Sequence, residues 1–320
     1  MYIEQAYKSL YDNWRYLLGF IIIIIGWQVI GSIPIGVAMF MEFFENGNLL
    51  SDISAISKAL GSNLFFFLML LSFAIGLLAI YVTSKLLHKQ SFTELTTSRK
   101  KIDKERIAFA FILWAVISMI MTGIDIYIAP DNYVCNFKLE PFLTLFFIVV
   151  IFIPLQTSFE EYFFRGYLMQ GIGILAKNRW LPLVLTSVIF GGLHIFNPEV
   201  EKLGYGIMVY YIGTGFFLGI LTLMDEGMEL ALGFHAANNL ITALLVTADW
   251  TAFQTDSIYR DISDPVLGWD VLIPVLVIYP ILLFIFSKIY RWKNWKERLF
   301  GKVLPRESVV NEEINEWAAK

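Results

Sequence analysis

The chain has 320 residues, 57% of them apolar and only 16% charged, with a formal net charge of −4. An average soluble domain is about 45–50% apolar and about 25% charged, and its surface has to be covered by polar groups, so this composition excludes a soluble enzyme and predicts an integral membrane protein. The small net charge gives no footing for a nucleic-acid partner, and a single cysteine, Cys135, rules out both an internal disulfide framework and a cysteine-based metal cluster.

A hydrocarbon core about 30 Å thick needs roughly 20 apolar residues of helix. On that measure the chain is read as all-α, a polytopic transmembrane helix bundle of about eight spans at 17–41, 64–82, 107–128, 142–175, 180–196, 204–224, 228–248 and 267–287. The first span has no small-residue cleavage site after its apolar run and is read as an uncleaved membrane helix rather than a signal peptide. The stretch 142–175 would measure about 50 Å as one straight helix, and Pro154 is expected to kink or interrupt it. No internal repeat or low-complexity segment is present.

Lys and Arg set the orientation. With both termini on the cytosolic side of a plasma (inner) membrane, twenty of the 24 Lys and Arg residues fall in inner segments, leaving Lys58, Lys138, Lys202 and Arg260 outside. The tail 290–306 alternates basic residues with Trp292, Trp295 and Phe300 and is expected to lie on an anionic inner leaflet. His88, in a basic loop, is expected at the surface.

Ionisable residues within the spans carry the functional signal. Asp125, Glu229 and Asp270 lie within a turn of a span end and are expected to snorkel or meet water. Glu160, Glu161, Arg165, His194 and His235 lie deeper. A charge near the bilayer centre costs roughly 2.5–3.5 kcal/mol on insertion scales, so these five are expected to face protein or a water-filled cavity. Glu161 and Arg165 are spaced i, i+4 and can pair as a packing device. Glu160 is rotated about 100° from Glu161 and lacks that partner, which makes it the carboxylate free to handle protons. At 1.5 Å per residue, Glu160 and His194 lie about 25 Å and about 22 Å from the turn marked by Lys177 and Arg179, so neighbouring helices bring them to similar depth. His235 and Asn239 share a face of the seventh span, beside Ala236 and Ala237, which allow close helix approach.

Taken in order, Glu160-Glu161-Tyr162-Phe163-Phe164-Arg165, Phe190-Gly191-Gly192-Leu193-His194 and His235-Ala236-Ala237-Asn238-Asn239 resemble the EExxxR, FxxxH and HxxxN motifs of the CAAX-protease and bacteriocin-processing (CPBP, or Abi) intramembrane endopeptidases, a family that includes the Ras-converting CAAX prenyl endopeptidase. The 213–219 region is similar to that family's glycine-containing helix. By this resemblance residues 141–250 form the protease core, 1–140 are N-terminal transmembrane helices without a family-specific role, and 251–320 hold the last span and a basic juxtamembrane tail.

The resemblance implies hydrolysis of a peptide bond in a membrane-embedded or lipidated peptide or protein, with Glu160 and His194 activating a water and His235 and Asn239 stabilising the oxyanion. Glu161 and Arg165 supply structural support. Amide hydrolysis needs a base for water and donors aimed at the developing oxyanion, and these residue types supply both. The same Glu160, His194 and His235 could instead ligate zinc. The sequence holds no HExxH helix, and a metal-free mechanism without a required cofactor is the preferred expectation. The alternatives are a proton- or ion-coupled membrane transporter built on the same ionisable residues, which internal repeats would favour, and a non-catalytic immunity or scaffold protein on the same fold.

Overall fold

The computed structural model describes residues 1–47 and 53–307. The expectations that fall on residues 308–320 and on the Asp270 side chain lie outside the described residues. Among the described residues, eight helical segments of 17 residues or more form the bundle, joined by shorter helices and loops: α1 (Asn13–Asn46), α2 (Ser62–Leu87), α3 (Lys104–Ile128), α4 (Leu139–Ala176), α5 (Trp180–Phe196), α6 (Tyr205–Asp225), α7 (Glu229–Leu245) and α8 (Val271–Ile289). The protein is an all-α polytopic membrane bundle.

Six of the eight are long and apolar enough to cross a membrane by themselves. The other two, α5 and α7, are shorter. Each has 17 residues, or about 25 Å of helix against a hydrocarbon core of about 30 Å. Neighbours compensate in α7, whose residues Glu229–Ala237 are all buried between α3, α4 and α6, so this helix needs no lipid-compatible surface there.

The segments between helices gather at two ends. At one end, backbone hydrogen bonds join Leu10 to His88, Ser98 to Glu226, Met228 to Thr96, Arg179 to Gly301 and Val303 to Lys177. At the other end, Asn136 bonds Ile258, Ile262 bonds Asn132, and a small sheet of β1 (Tyr133–Cys135), β2 (Val246–Thr247) and β3 (Tyr259–Asp261) forms in the order β1-β3-β2. The helices therefore alternate in direction, and the 10, 177 and 303 neighbourhoods share one end. An all-α pattern does not anticipate this sheet, because its strands are only two or three residues long.

Small residues set the helix spacing around the core. A Cβ on Gly233 of α7 would overlap the Ile107 carbonyl oxygen of α3, and one on Gly215 of α6 would stand 2.6 Å from the Ser187 carbonyl oxygen of α5. Backbone meets backbone at both crossings, as expected where apolar solvent offers no hydrophobic drive and close packing must hold helices together.

Several local expectations change. Helix α4 runs through Pro154 without interruption, and its irregularity comes later, as π-helical turns over Tyr162–Leu168. Neighbouring helices hold a proline in a membrane helix where an isolated helix would break. His88 is buried rather than at the surface. Its Nδ1 lies 2.8 Å from the Leu10 carbonyl oxygen and its Nε2 lies 3.0 Å from the Tyr167 hydroxyl. Glu229 is also fully buried, paired with Arg99 at 3.1 Å, instead of meeting water. Asp125 is exposed as expected. In the tail, Trp292, Leu299 and Val303 join the protein core, and Trp292 Nε1 donates to Asp225 at 3.0 Å, so the segment docks on the bundle with Trp295 and Phe300 left outward. Indole and aliphatic groups that periodicity alone assigns to lipid are satisfied here by protein.

Candidate active site

Helix α4 supplies the two carboxylates, and their rotation about the helix separates their surroundings. Glu160 lines a cavity of about 460 Å³, whereas Glu161 is fully buried behind it. Arg165 Nη1 donates to Glu161 Oε1 at 3.0 Å, and Nη2 donates to the Gly215 carbonyl oxygen at 3.1 Å. The guanidinium also lies over the Phe190 ring, 4.3 Å from its centroid. One side chain thus ties α4 to α5 and α6. The lack of a side chain at Gly215 allows both the helix approach and this contact. The π-helical turns begin directly after Glu161, a placement common at functional sites.

Helix α7 brings His235 between the two carboxylates. Its Nδ1 lies 2.8 Å from Glu161 Oε1, and its Nε2 lies 3.3 Å from Glu160 Oε2. Both ring nitrogens of His235 thus face carboxylate oxygens, Nδ1 within hydrogen-bond distance of Glu161 and Nε2 turned toward Glu160. The same helix places Asn239 one turn on. Asn239 Nδ2 donates to Gln156 Oε1 at 3.0 Å, and Gln156 Nε2 donates to Glu160 Oε1 at 2.7 Å. Upstream, Asn238 Nδ2 donates to Asn239 Oδ1 at 3.1 Å, while Trp114 Nε1 donates to Asn238 Oδ1 at 3.1 Å. A chain of side-chain amides therefore fixes the Asn239 orientation, and one of its Nδ2 hydrogens remains for another acceptor.

Helix α5 ends in a short 3₁₀ turn, Leu193–Phe196, that carries His194. The ring stacks on Tyr211, 4.3 Å between centroids, and Nδ1 lies 2.8 Å from the Phe190 carbonyl oxygen. A carbonyl can only accept, so Nδ1 bears the hydrogen and Nε2 of the neutral ring carries the lone pair.

Glu160, His194, His235 and Asn239 all line the one cavity. Glu161 and Arg165 do not, and stand behind it. The imidazole in direct contact with Glu160 belongs to His235, and His194 reaches the cavity from another wall. The motifs do not single out Gln156, which bridges Glu160 and Asn239; its position four residues before Glu160 on the same helix is the one signal of it in the sequence. Nothing in the sequence points to Tyr211 beneath His194.

Zinc would need three donors converging on one point. Among the described residues, no three His, Cys, Asp or Glu side chains are so grouped. The residues do not fit the metal, and no step is derived through it.

The sequence model of the family described as type II CAAX prenyl endopeptidase Rce1-like matches residues 139–241. The chain is 32% identical over 240 residues to the uncharacterized protein YyaK of Bacillus subtilis (strain 168), which spans 73% of this chain and 78% of that protein. It is 27% identical over 243 residues to an uncharacterized protein of Mycoplasma capricolum subsp. capricolum, covering 69% of each. No solved structure matches the chain.

Proposed function

The chain belongs to the Rce1-like family of type II CAAX prenyl endopeptidases, and from that premise we propose that it is an intramembrane endopeptidase whose chemistry is carried by Glu160, His194, His235 and Asn239. The observation that carries this reading is the meeting of these four side chains, from three different helices, on one cavity.

Water bound between Glu160 and the free Nε2 of His194 gives its proton to the carboxylate as its oxygen attacks the scissile carbonyl. The negative oxygen that forms is met by the remaining Asn239 Nδ2 hydrogen and by the His235 ring, whose Nδ1 is anchored on Glu161. The carbon–nitrogen bond then breaks, and the proton held by Glu160 passes to the leaving amine. Glu161 and Arg165 are positioning residues, which hold the His235 ring and the α4–α6 spacing. The substrate is a membrane-embedded or lipidated peptide or protein, and the enzyme sits in the plasma membrane with both termini cytosolic. The twenty-to-four distribution of Lys and Arg supports that orientation.

The test uses purified protein reconstituted in phospholipid vesicles with quenched-fluorescent peptides, prenylated and unprenylated. Replacing Glu160 by Gln should lower hydrolysis by about 10²- to 10⁴-fold, the usual contribution of a general base, with no loss of thermal stability. Treatment with 1,10-phenanthroline should leave the rate unchanged. An active, well-folded Glu160→Gln protein would overturn the mechanism, and chelator-sensitive activity would overturn its metal-free form.

A further inference from the structure

The lining of the active-site cavity includes a carboxylate that the hydrolytic scheme does not use. Glu199 lies in the short helix Pro198–Leu203, five residues after His194. Its Oε1 accepts a hydrogen bond from the Ala252 backbone N–H at 2.9 Å, which fixes the side chain against the loop that follows β2. Its Oε2 is buried and has no hydrogen-bond partner among the described residues. Burial pushes the Glu199 carboxyl above the usual carboxylate range, only partly offset by the Ala252 N–H. The carboxyl group is thus held in place through one oxygen, with the other left without a partner among the described residues.

The rest of the lining sharpens the meaning of that oxygen. The cavity wall includes Glu160, Glu199 and Asp261, and among the described residues it contains no Lys or Arg. Asp261 is oriented by the Ser263 N–H, which it accepts at 2.8 Å. Three acidic side chains around a largely apolar cleft favour entry of positive charge, because field lines concentrate where the walls have a low dielectric. A neutral or acidic occupant would leave that field uncompensated.

We propose that Glu199 is a specificity-determining residue that selects peptides carrying a Lys or Arg side chain within a few residues of the scissile bond. The ammonium or guanidinium group pairs with the Glu199 carboxyl group while the neighbouring peptide bond reaches Glu160. This rests on the peptidase reading above, and it adds a substrate class to it. A glutamine at 199 keeps an amide oxygen for the Ala252 N–H and removes only the charge, so the substitution separates charge selection from support of the loop.

The experiment scans a single Lys, Gln or Glu through an apolar, N-acetylated, quenched-fluorescent peptide series in phosphatidylcholine vesicles; acetylation removes the peptide's own terminal cation. The wild-type protein should prefer Lys over Gln by about tenfold in kcat/KM at one position, the discrimination expected for a desolvated hydrogen-bonded ion pair. Glu should fall below Gln there, and in Glu199→Gln the Lys-to-Gln ratio should drop to about one. A wild-type protein indifferent to charge, or a preference that survives in Glu199→Gln, overturns the proposal while leaving the peptidase reading standing. If no peptide is cleaved, the peptidase reading is the one that fails. Binding then decides the proposal: fluorescence anisotropy should show the Lys peptide held more tightly than the Gln peptide by Glu160→Gln protein, and equally by the Glu160→Gln, Glu199→Gln double variant. Equal binding of both peptides to the Glu160→Gln protein overturns it.

Discussion

Glu161 and His235 are joined at 2.8 Å through Oε1 and Nδ1, and the same Glu161 oxygen accepts Arg165 Nη1 at 3.0 Å. One buried atom therefore serves both a helix-packing ion pair and the orientation of the ring that faces Glu160. Packing and chemistry are not separable at this carboxylate, although the i, i+4 spacing of Glu161 and Arg165 suggests a purely structural pair.

Replacing Glu161 by Gln should accordingly damage two properties together. It strands a fully buried guanidinium, and breaking one side of such a pair typically costs about 3–5 kcal/mol. It also weakens the anchor of His235 Nδ1. Thermal unfolding of the detergent-purified variant should show a large drop in midpoint, and the surviving folded fraction should hydrolyse peptide more slowly with KM little changed. A destabilised variant with wild-type turnover per folded molecule would restrict Glu161 to packing.

Asn239→Leu should lower kcat by about 10²- to 10³-fold, the cost of losing one oxyanion donor, while Gln156→Leu should cost less. Gln156 acts through Asn239 and Glu160, which it bridges at 3.0 Å and 2.7 Å. Single-turnover cleavage by each variant is the measurement, and a larger loss at Gln156 than at Asn239 would reverse their assigned roles.

His88 gives the fold a pH dependence. Burial lowers the His88 pKa below the ordinary 6.5, with the Leu10 carbonyl contact opposing and nearby Arg15 reinforcing the shift. A depressed folded value means that the unfolded chain binds the proton more readily, so the stability is complete above about 6.5 and is lost as pH falls through the folded value. Differential scanning fluorimetry from pH 8 to pH 5 should show a falling midpoint in the wild type. In His88→Gln the slope should be shallower, and an identical slope would remove His88 from the account.

The alternation of the eight helices places the segments near residues 10, 88, 177, 226 and 303 at one end and the sheet of β1, β2 and β3 at the other. Reporter fusions after residue 307 and within 249–258 should therefore score on opposite sides of the membrane, with the former cytosolic. Matching signals would sink the topology, and reversed signals would sink the orientation.

The parts of the site that depend on one helix are legible in the amino-acid sequence. Glu161 and Arg165 share a face by spacing alone, as do His235 and Asn239, and depth counted from the Lys177 turn brings Glu160 and His194 level. The parts that depend on how helices rotate against each other are not. Placing His235 between both glutamates requires the α4–α7 crossing, and the position of α7 is set by contacts such as Gly233 against Ile107, which spacing does not encode. The same limit explains His88 and Trp292. Both lie in segments whose composition marks them for the surface, and both are buried by partners more than 65 residues away in the chain.

Glu4 is fully buried at the end of the bundle that gathers residues 10, 177 and 303, paired with Arg179 and accepting the Leu304 backbone N–H at 3.1 Å. The last donor to this carboxylate lies 300 residues downstream, beyond every helix that carries Glu160, His194 or His235. The first and last described stretches of the chain thus share one buried oxygen, and a chain cut before residue 304 would leave Glu4 with Arg179 and without its backbone donor.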